Sequence, residues 1–163
     1  MVRLWTVIRL LSLLIVANGA PLVAKKLLGE RFSLPLDSGI RGPDSQAVFG
    51  VSKTVRGVLL SVLVTAFCAR LVGLEFKIGA LLGSGAMLGD LFSSFLKRRM
   101  RLPTSSRALG LDQIPESLFP LVVCGRLLSL TIPEITATVA GFFVGEILIS
   151  RLLHKLGLRD RPY

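Results

Sequence analysis

The chain has 163 residues, enough for one compact domain; 52% of them are hydrophobic, the mean hydropathy is +0.69 and the net charge is +10. Hydropathy this high excludes an ordinary water-soluble helical bundle. The charge alone would point to nucleic acid, but the basic residues cluster between apolar runs, so membrane topology and a phosphate ligand explain them better and no nucleic-acid partner is expected.

The first apolar segment covers residues 4–24. Arg3, Arg9 and the small residues Ala17 and Ala20 give it the look of an export leader, but Pro21 would follow the cleavage point and Lys25 and Lys26 end the run abruptly. It is read as a retained helix. A polar stretch over 25–56 follows, then apolar segments over 57–74, 76–96, 114–130 and 132–153, the third and fourth separated by a basic loop over 97–113. Each segment is close to the ~20 residues a helix needs to cross about 30 Å of hydrocarbon. Helices are required because lipid cannot satisfy open backbone groups. The fourth is short and carries Glu116 and Arg126. The second and third, and the fourth and fifth, are nearly contiguous and should form antiparallel hairpins.

The expected fold is therefore all-α: a polytopic membrane protein of five transmembrane helices, forming one transmembrane catalytic domain over 1–163. Lys25, Lys26, Arg31, Arg41, Lys53 and Arg56 fall in one loop, and Lys97, Arg98, Arg99, Arg101 and Arg107 in another. With the tail residues Arg151, Lys155, Arg159 and Arg161 they share one side of a five-span chain. The excess of Lys and Arg makes that side cytoplasmic, with the amino terminus outside and the carboxyl terminus inside. Cys68 and Cys124 lie within apolar runs and read as packing residues, and His154 reads as interfacial.

Topology does not explain the acidic residues beside these cations. Asp90 lies inside the third segment, where an ionisable group is costly and reads as functional. At 100° per residue Ser93, Ser94 and Lys97 share its face, and Gly79, Gly83 and Ala86 continue that face deeper, where small residues admit a neighbouring helix. An intrahelical Asp90–Lys97 pair is the structural alternative. Before the second segment, Phe49-Gly50-Val51-Ser52-Lys53-Thr54-Val55-Arg56-Gly57 offers cations and a helix start suited to phosphate. Before the fourth lies Leu111-Asp112-Gln113, whose alternative is helix capping. Thr131-Ile132-Pro133-Glu134 reads as a capping box, leaving Glu134 without a catalytic role, and Glu146 is expected to pair with Arg126. Asp90 and Asp112 among lysines, arginines and Gly-flanked loops point to phosphoryl chemistry with Mg²⁺, a hard cation suited to carboxylate oxygens. No Ser-His-Asp or Cys-His set is evident, and an anionic nucleophile such as a lipid phosphate needs no general base.

At these residues the sequence resembles the archaeal CDP-archaeol synthases, distant relatives of the CDP-diacylglycerol synthases. The resemblance runs from Asn18 to Pro21, through Asp37, Gly39, Phe49-Gly50 and Lys53-Thr54-x-Arg56-Gly57. It continues through Leu88-Gly89-Asp90 and Ser94-Phe95-x-Lys97-Arg98-Arg99 to Leu111-Asp112-Gln113. Val51-Ser52 departs from the Asp-Gly expected there, and Asp44-Ser45-Gln46 is less typical. The resemblance implies a Mg²⁺-dependent cytidylyltransferase. It would join CTP to the prenylated ether lipid 2,3-bis-(O-geranylgeranyl)-sn-glycerol 1-phosphate and release pyrophosphate. Asp90 and Asp112 would hold the metal, with Lys97 counted among the catalytic residues. Lys53, Arg56, Lys97 and Arg98 would bind triphosphate or lipid phosphate. Thr54, Ser94 and Gln113 would orient phosphate or nucleotide, Gly57 belongs to the same binding segment, and Asp37 would contact ribose or cytosine. The lipid chains should lie in an apolar groove open to the bilayer. A CDP-alcohol phosphotransferase stands as an alternative, although its clustered Asp pattern is absent. A non-enzymatic lipid-binding or transport protein explains the spans but not the joint Asp90, Asp112 and basic motifs.

Overall fold

The computed structural model describes residues 2–103, 106 and 108–155, the last three by backbone alone. Five helices follow one another: α1 (Leu4–Leu28), α2 (Val55–Leu71), α3 (Phe76–Arg99), α4 (Gln113–Gly125) and α5 (Ile132–Lys155). Among the described residues there is no extended strand, only isolated bridges between Pro35 and Thr54 and between Arg41 and Ala47. His154, for which an interfacial place is expected, and Arg107, Arg159 and Arg161 lie outside the residues whose side chains are described.

The local causes of these boundaries are legible. Lys25 and Lys26 sit in the last turn of α1, where cations complement the helix dipole, and Gly29 ends the helix at φ 54° with its N–H donating to Lys25 O. Thr54 caps α2 by accepting from Gly57 N at 3.1 Å. Pro21 inside α1 has no N–H for the carbonyl four residues before it, which is Ala17 O. Ser61 Oγ of α2 donates to that carbonyl at 2.7 Å. The proline therefore exposes the very acceptor that ties α1 to α2.

Among the described residues three helices are long and apolar enough to cross a bilayer: Leu4–Leu28, Phe76–Arg99 and Ile132–Leu152. Helices α2 and α4 are shorter than these three. With 17 residues α2 reaches about 26 Å, and α4 with 13 reaches about 20 Å, at 1.5 Å per residue. Pro120 lies within α4, and the helix stops at Gly125; the chain then turns through Arg126–Ser129, where Leu130 N donates back to Gly125 O. The segment expected over 114–130 is thus a shorter helix and a turn.

Helix α3 is the centre of the bundle, packed against α2 on one side and α4 on the other; α5 packs on α1 and α4. Glycine makes both contacts close. A Cβ at Gly79 would stand 2.7 Å from Ala66 Cα of α2, and one at Gly89 would collide with the Pro115 carbonyl of α4. The small-residue face expected from Gly79 and Gly83 thus receives α2, while Gly85 and Gly89 receive α4. Apolar packing fills the half of the bundle away from the long loops, with Leu10, Leu13, Ala69, Leu82, Leu121 and Cys124 at its centre. Large apolar side chains such as Leu63, Phe67, Val122 and Leu148 face outward, as a lipid-facing surface requires. At that same end Arg3 grips Glu134, Nε to Oε1 at 2.7 Å and a terminal nitrogen to Oε2 at 2.9 Å, while Thr131 N donates to Glu134 Oε2. The Glu134 half of the capping box is present, and Glu134 also fastens the start of α1 to α5.

Candidate active site

The opposite end of the bundle gathers the end of α1, the start of α2, the end of α3 and the start of α4, with the connections 29–54 and 100–112. Asp37 organises the first connection. It is 6% exposed, and its carboxylate accepts from Gly39 N at 3.2 Å and from both Phe49 N and Gly50 N at 3.0 Å. Burial opposes ionisation, and the amides of Gly50, Phe49 and Gly39 outweigh it, holding the carboxyl below the usual carboxylate range. Leu36 N donates to Lys53 O at 2.8 Å, and Val55 N to Leu34 O at 3.0 Å, so the clamped loop delivers Lys53 to a fixed backbone position. What the structure assigns to Asp37 is loop clamping; its oxygens face backbone amides.

Lys53 reaches across to α3. Its Nζ lies 2.6 Å from both Oδ1 and Oδ2 of Asp90. The intrahelical Asp90–Lys97 alternative is therefore overturned: Lys97, two turns further along α3, pairs with Asp112 Oδ1 at 2.6 Å and donates to Ser106 O at 2.9 Å. Asp112 stands at the N-cap position of α4 but makes no side-chain cap there. Its Oδ2 accepts from Ala108 N at 3.0 Å, and its buried Oδ1 touches the Lys97 ammonium without a hydrogen-bonding angle. The capping alternative for Asp112 fails with that geometry.

The remaining expected residues surround these pairs. Ser93 Oγ donates to Gly89 O and Leu111 O, joining the end of α3 to the start of α4. Ser94, 2% exposed, has a hydroxyl with no hydrogen-bond partner among the described residues. Gln113 Oε1 accepts from Gly110 N at 2.7 Å. Arg98, 5% exposed, donates to Pro103 O. Arg56 turns toward the end of α1 and donates to the carbonyls of Gly29 and Arg31. Gly57 is buried, and a Cβ there would meet Thr54 Oγ1 at 3.1 Å and Pro21 Cβ at 3.3 Å. Arg99 ties the 41–47 turn to α3 through Asp44 and the carbonyls of Gln46 and Ala47, and stacks on Phe95.

Two carboxylates escaped the sequence-based site. Glu116, 7% exposed on α4, contacts the Asp90 side chain and lies within electrostatic range of Glu146 and Lys53. Glu146 thus sits by the start of α4, and the expected pair with Arg126 does not form, because Arg126 stands at the other end of that helix. The signal was available: Glu116 lies one helical turn beyond Asp112, inside an apolar segment.

The donor chemistry fits a hard divalent cation. Such an ion takes one or two carboxylates and completes its shell with water and substrate phosphate. Asp112 Oδ1 is buried against the Lys97 ammonium with no hydrogen bond to any other described residue, and both Asp90 oxygens face the Lys53 ammonium. Among the described residues no group of three or more His, Cys, Asp or Glu is arranged to hold a metal unaided. An apolar cavity of about 460 Å³ opens between α1 and α2, lined by residues including Val16, Gly19, Val23, Leu27, Leu60 and Val64. Its Leu27–Leu28 end adjoins the carbonyls that Arg56 holds.

Buried cations and carboxylates gather at one end of a membrane-capable helical bundle, beside an apolar groove, as a membrane-embedded enzyme of lipid chemistry would require. Comparison with known proteins gives the family. The CarS-like CDP-archaeol synthase model matches residues 4–163. A CDP-archaeol synthase of Thermofilum pendens is 32% identical over 91% of this chain and 76% of its own length, and one of Pyrobaculum calidifontis is 31% identical over 91% of each. A solved intramembrane enzyme of archaeal membrane lipid biosynthesis superposes with a TM-score of 0.76, at 26% identity, over 87% of this chain and 90% of that one. The chain belongs to the CDP-archaeol synthase family, the CTP-dependent cytidylyltransferases of archaeal lipid biosynthesis.

Proposed function

We propose that this chain transfers CMP from CTP to 2,3-bis-(O-geranylgeranyl)-sn-glycerol 1-phosphate, with Mg²⁺, and releases pyrophosphate. The observation that carries this reading is the placing of two lysine–aspartate pairs, Lys53–Asp90 and Lys97–Asp112, about 10 Å apart along α3 at 1.5 Å per residue. That span suits a triphosphate meeting a lipid phosphate.

The reaction is an in-line displacement. An oxygen of the lipid phosphate attacks the α-phosphorus of CTP, the new P–O bond forms, and the bond to the β-phosphate oxygen breaks. The nucleophile is already an anion, so the chain supplies no base; its task is to hold two anions in line and neutralise the charge that builds on pyrophosphate. Lys53, Lys97 and Arg98 serve the triphosphate. Arg56, at the mouth of the α1–α2 groove, serves the lipid phosphate, and a lipid chain lies in the groove. Thr54, Ser94 and Gln113 orient phosphate and nucleotide, and Asp37 acts on both through the loop it clamps. Asp90 and Asp112, too widely separated at this spacing to ligate one ion together, would each hold Mg²⁺, which when bound screens the phosphates and stabilises the leaving group.

The chain is proposed to lie in the cell membrane with α1, α3 and α5 as full spans and α2 and α4 as shorter, partly sheltered ones. The amino terminus faces outward and the site faces the cytoplasm. Support comes from Lys25, Lys26, Arg41, Lys53, Arg56, Lys97, Arg98, Arg99, Arg101 and Arg151 at the site end, against Arg3, Arg9, Arg70, Lys77 and Arg126 at or toward the other. Purified protein supplied with α-³²P-labelled CTP and the lipid phosphate should yield a labelled lipid and pyrophosphate. No labelled lipid from either the unsaturated or the saturated acceptor would refute the reading.

A further inference from the structure

The two lysine–aspartate pairs differ in how they are held. Lys97 is anchored twice, by Asp112 and by the carbonyl of Ser106, and its side chain is 10% exposed against 12% for Asp112. Lys53 has one hydrogen-bonding partner among the described residues, Asp90, and the two side chains are 22% and 20% exposed, so water reaches them. The Lys53 ammonium sits at equal 2.6 Å distances from both Asp90 oxygens, on the side where a chelated cation would stand. Glu116 of α4 contacts the Asp90 side chain from the other side. The Lys53 backbone is fixed by Leu36 and Gly50, while four rotatable side-chain bonds leave the ammonium free to swing.

From this geometry we propose that Lys53 is a built-in surrogate cation. It neutralises Asp90 while the site holds no nucleotide and swings onto the triphosphate when metal and CTP arrive together. The inference rests on the cytidylyltransferase reading and adds a coupling to it. Metal alone must displace the ammonium from Asp90, its one hydrogen-bonding partner among the described residues, and offers it no new one. Metal accompanied by triphosphate gives the displaced ammonium a new anion. Metal and nucleotide therefore strengthen each other's binding, and by linkage the factor is the same in both directions. The device keeps the bundle from carrying a bare carboxylate cluster at membrane depth, and it disfavours metal capture without substrate.

The test is Mn²⁺ binding to the full chain in detergent micelles, read from the free-Mn²⁺ electron paramagnetic resonance signal, with and without CTP and without lipid acceptor. In the wild type CTP should raise Mn²⁺ affinity about tenfold or more beyond the Mn²⁺–CTP association measured without protein, a factor ordinary for coupled sites. Lys53→Gln and Lys53→Met should each bind Mn²⁺ without CTP about tenfold more tightly than wild type, with the CTP enhancement reduced. Arg56→Gln removes a nearby charge that is bonded to carbonyls instead, and should leave nucleotide-free affinity unchanged. Thermal unfolding of each variant checks its fold. Lys53 variants no tighter than wild type, or Arg56→Gln tightened equally, would overturn the surrogate role while CTP-dependent Mn²⁺ binding left the enzymatic reading standing. Wild type binding Mn²⁺ equally with and without CTP would overturn it without any variant. No Mn²⁺ binding even with CTP would remove the metal-dependent reading and the inference together.

Discussion

Asp37→Asn separates a loop clamp from a nucleotide contact. In the wild type one oxygen accepts from Gly39 N, and the other accepts from both Phe49 N and Gly50 N. Asparagine keeps the shape but has one acceptor oxygen. Turned to serve Phe49 and Gly50, its amide nitrogen opposes the Gly39 N–H; turned the other way, it opposes two. At least one charge-assisted hydrogen bond is lost and a donor faces a donor, which costs about 1.5–3 kcal/mol. That cost falls on the segment that positions Lys53. The expected result is a lower midpoint in thermal unfolding in micelles and a several-fold rise in KM for CTP, with the preference for CTP over UTP unchanged. The wild-type clamp also sets a pH dependence. The folded carboxyl titrates below its usual value, so its contribution is complete above the unfolded pKa near 3.8 and disappears as pH falls through the lower folded value. Acid unfolding of Asp37→Asn should lack that component. Wild-type stability combined with altered base selectivity would refute the clamp and restore the ribose or cytosine contact.

Asp90→Asn should reduce cytidylyl transfer by a hundredfold or more, on the order of the several kcal/mol that a lost metal ligand removes. Thermal stability measured without nucleotide should fall modestly, because Lys53, with a side chain only 22% exposed, loses its counter-ion; near-normal turnover across a Mg²⁺ titration would count against Asp90 as a ligand. Gly89→Ala should destabilise the protein by about 1–3 kcal/mol, since its methyl would strike the Pro115 carbonyl, and the unfolding midpoint in micelles reads this directly. Ser45→Cys, placed on an exposed turn in a background with Cys68 and Cys124 replaced by Ala, should resist a membrane-impermeant maleimide in intact cells and react after lysis. Labelling from outside would invert the proposed topology.

Hydropathy and motif order are local properties, and they made much of this molecule legible in the sequence: a helical membrane protein, the starts and ends of α1, α3 and α5 to within a few residues, and a family resemblance carried by short motifs. The face shared by Asp90, Ser94 and Lys97 follows from helical period alone. The sequence could not say where an apolar run stops being helix, so α4 was read through to residue 130 although it ends at Gly125. Nor could it choose partners. Asp90 could be matched to Lys97 seven residues away on its own helix, yet it meets Lys53, brought from 37 residues away by a loop that Asp37 folds. Charge pairing depends on which backbones approach, and approach here depends on loop closure and on glycine contacts such as Gly89 against Pro115. The same closeness brings Glu116 to Asp90 and leaves Arg126 at the far end of the bundle from Glu146. Residue type and period placed the charged groups along each helix; only the packing of five helices and one clamped loop decided which opposite charges touch.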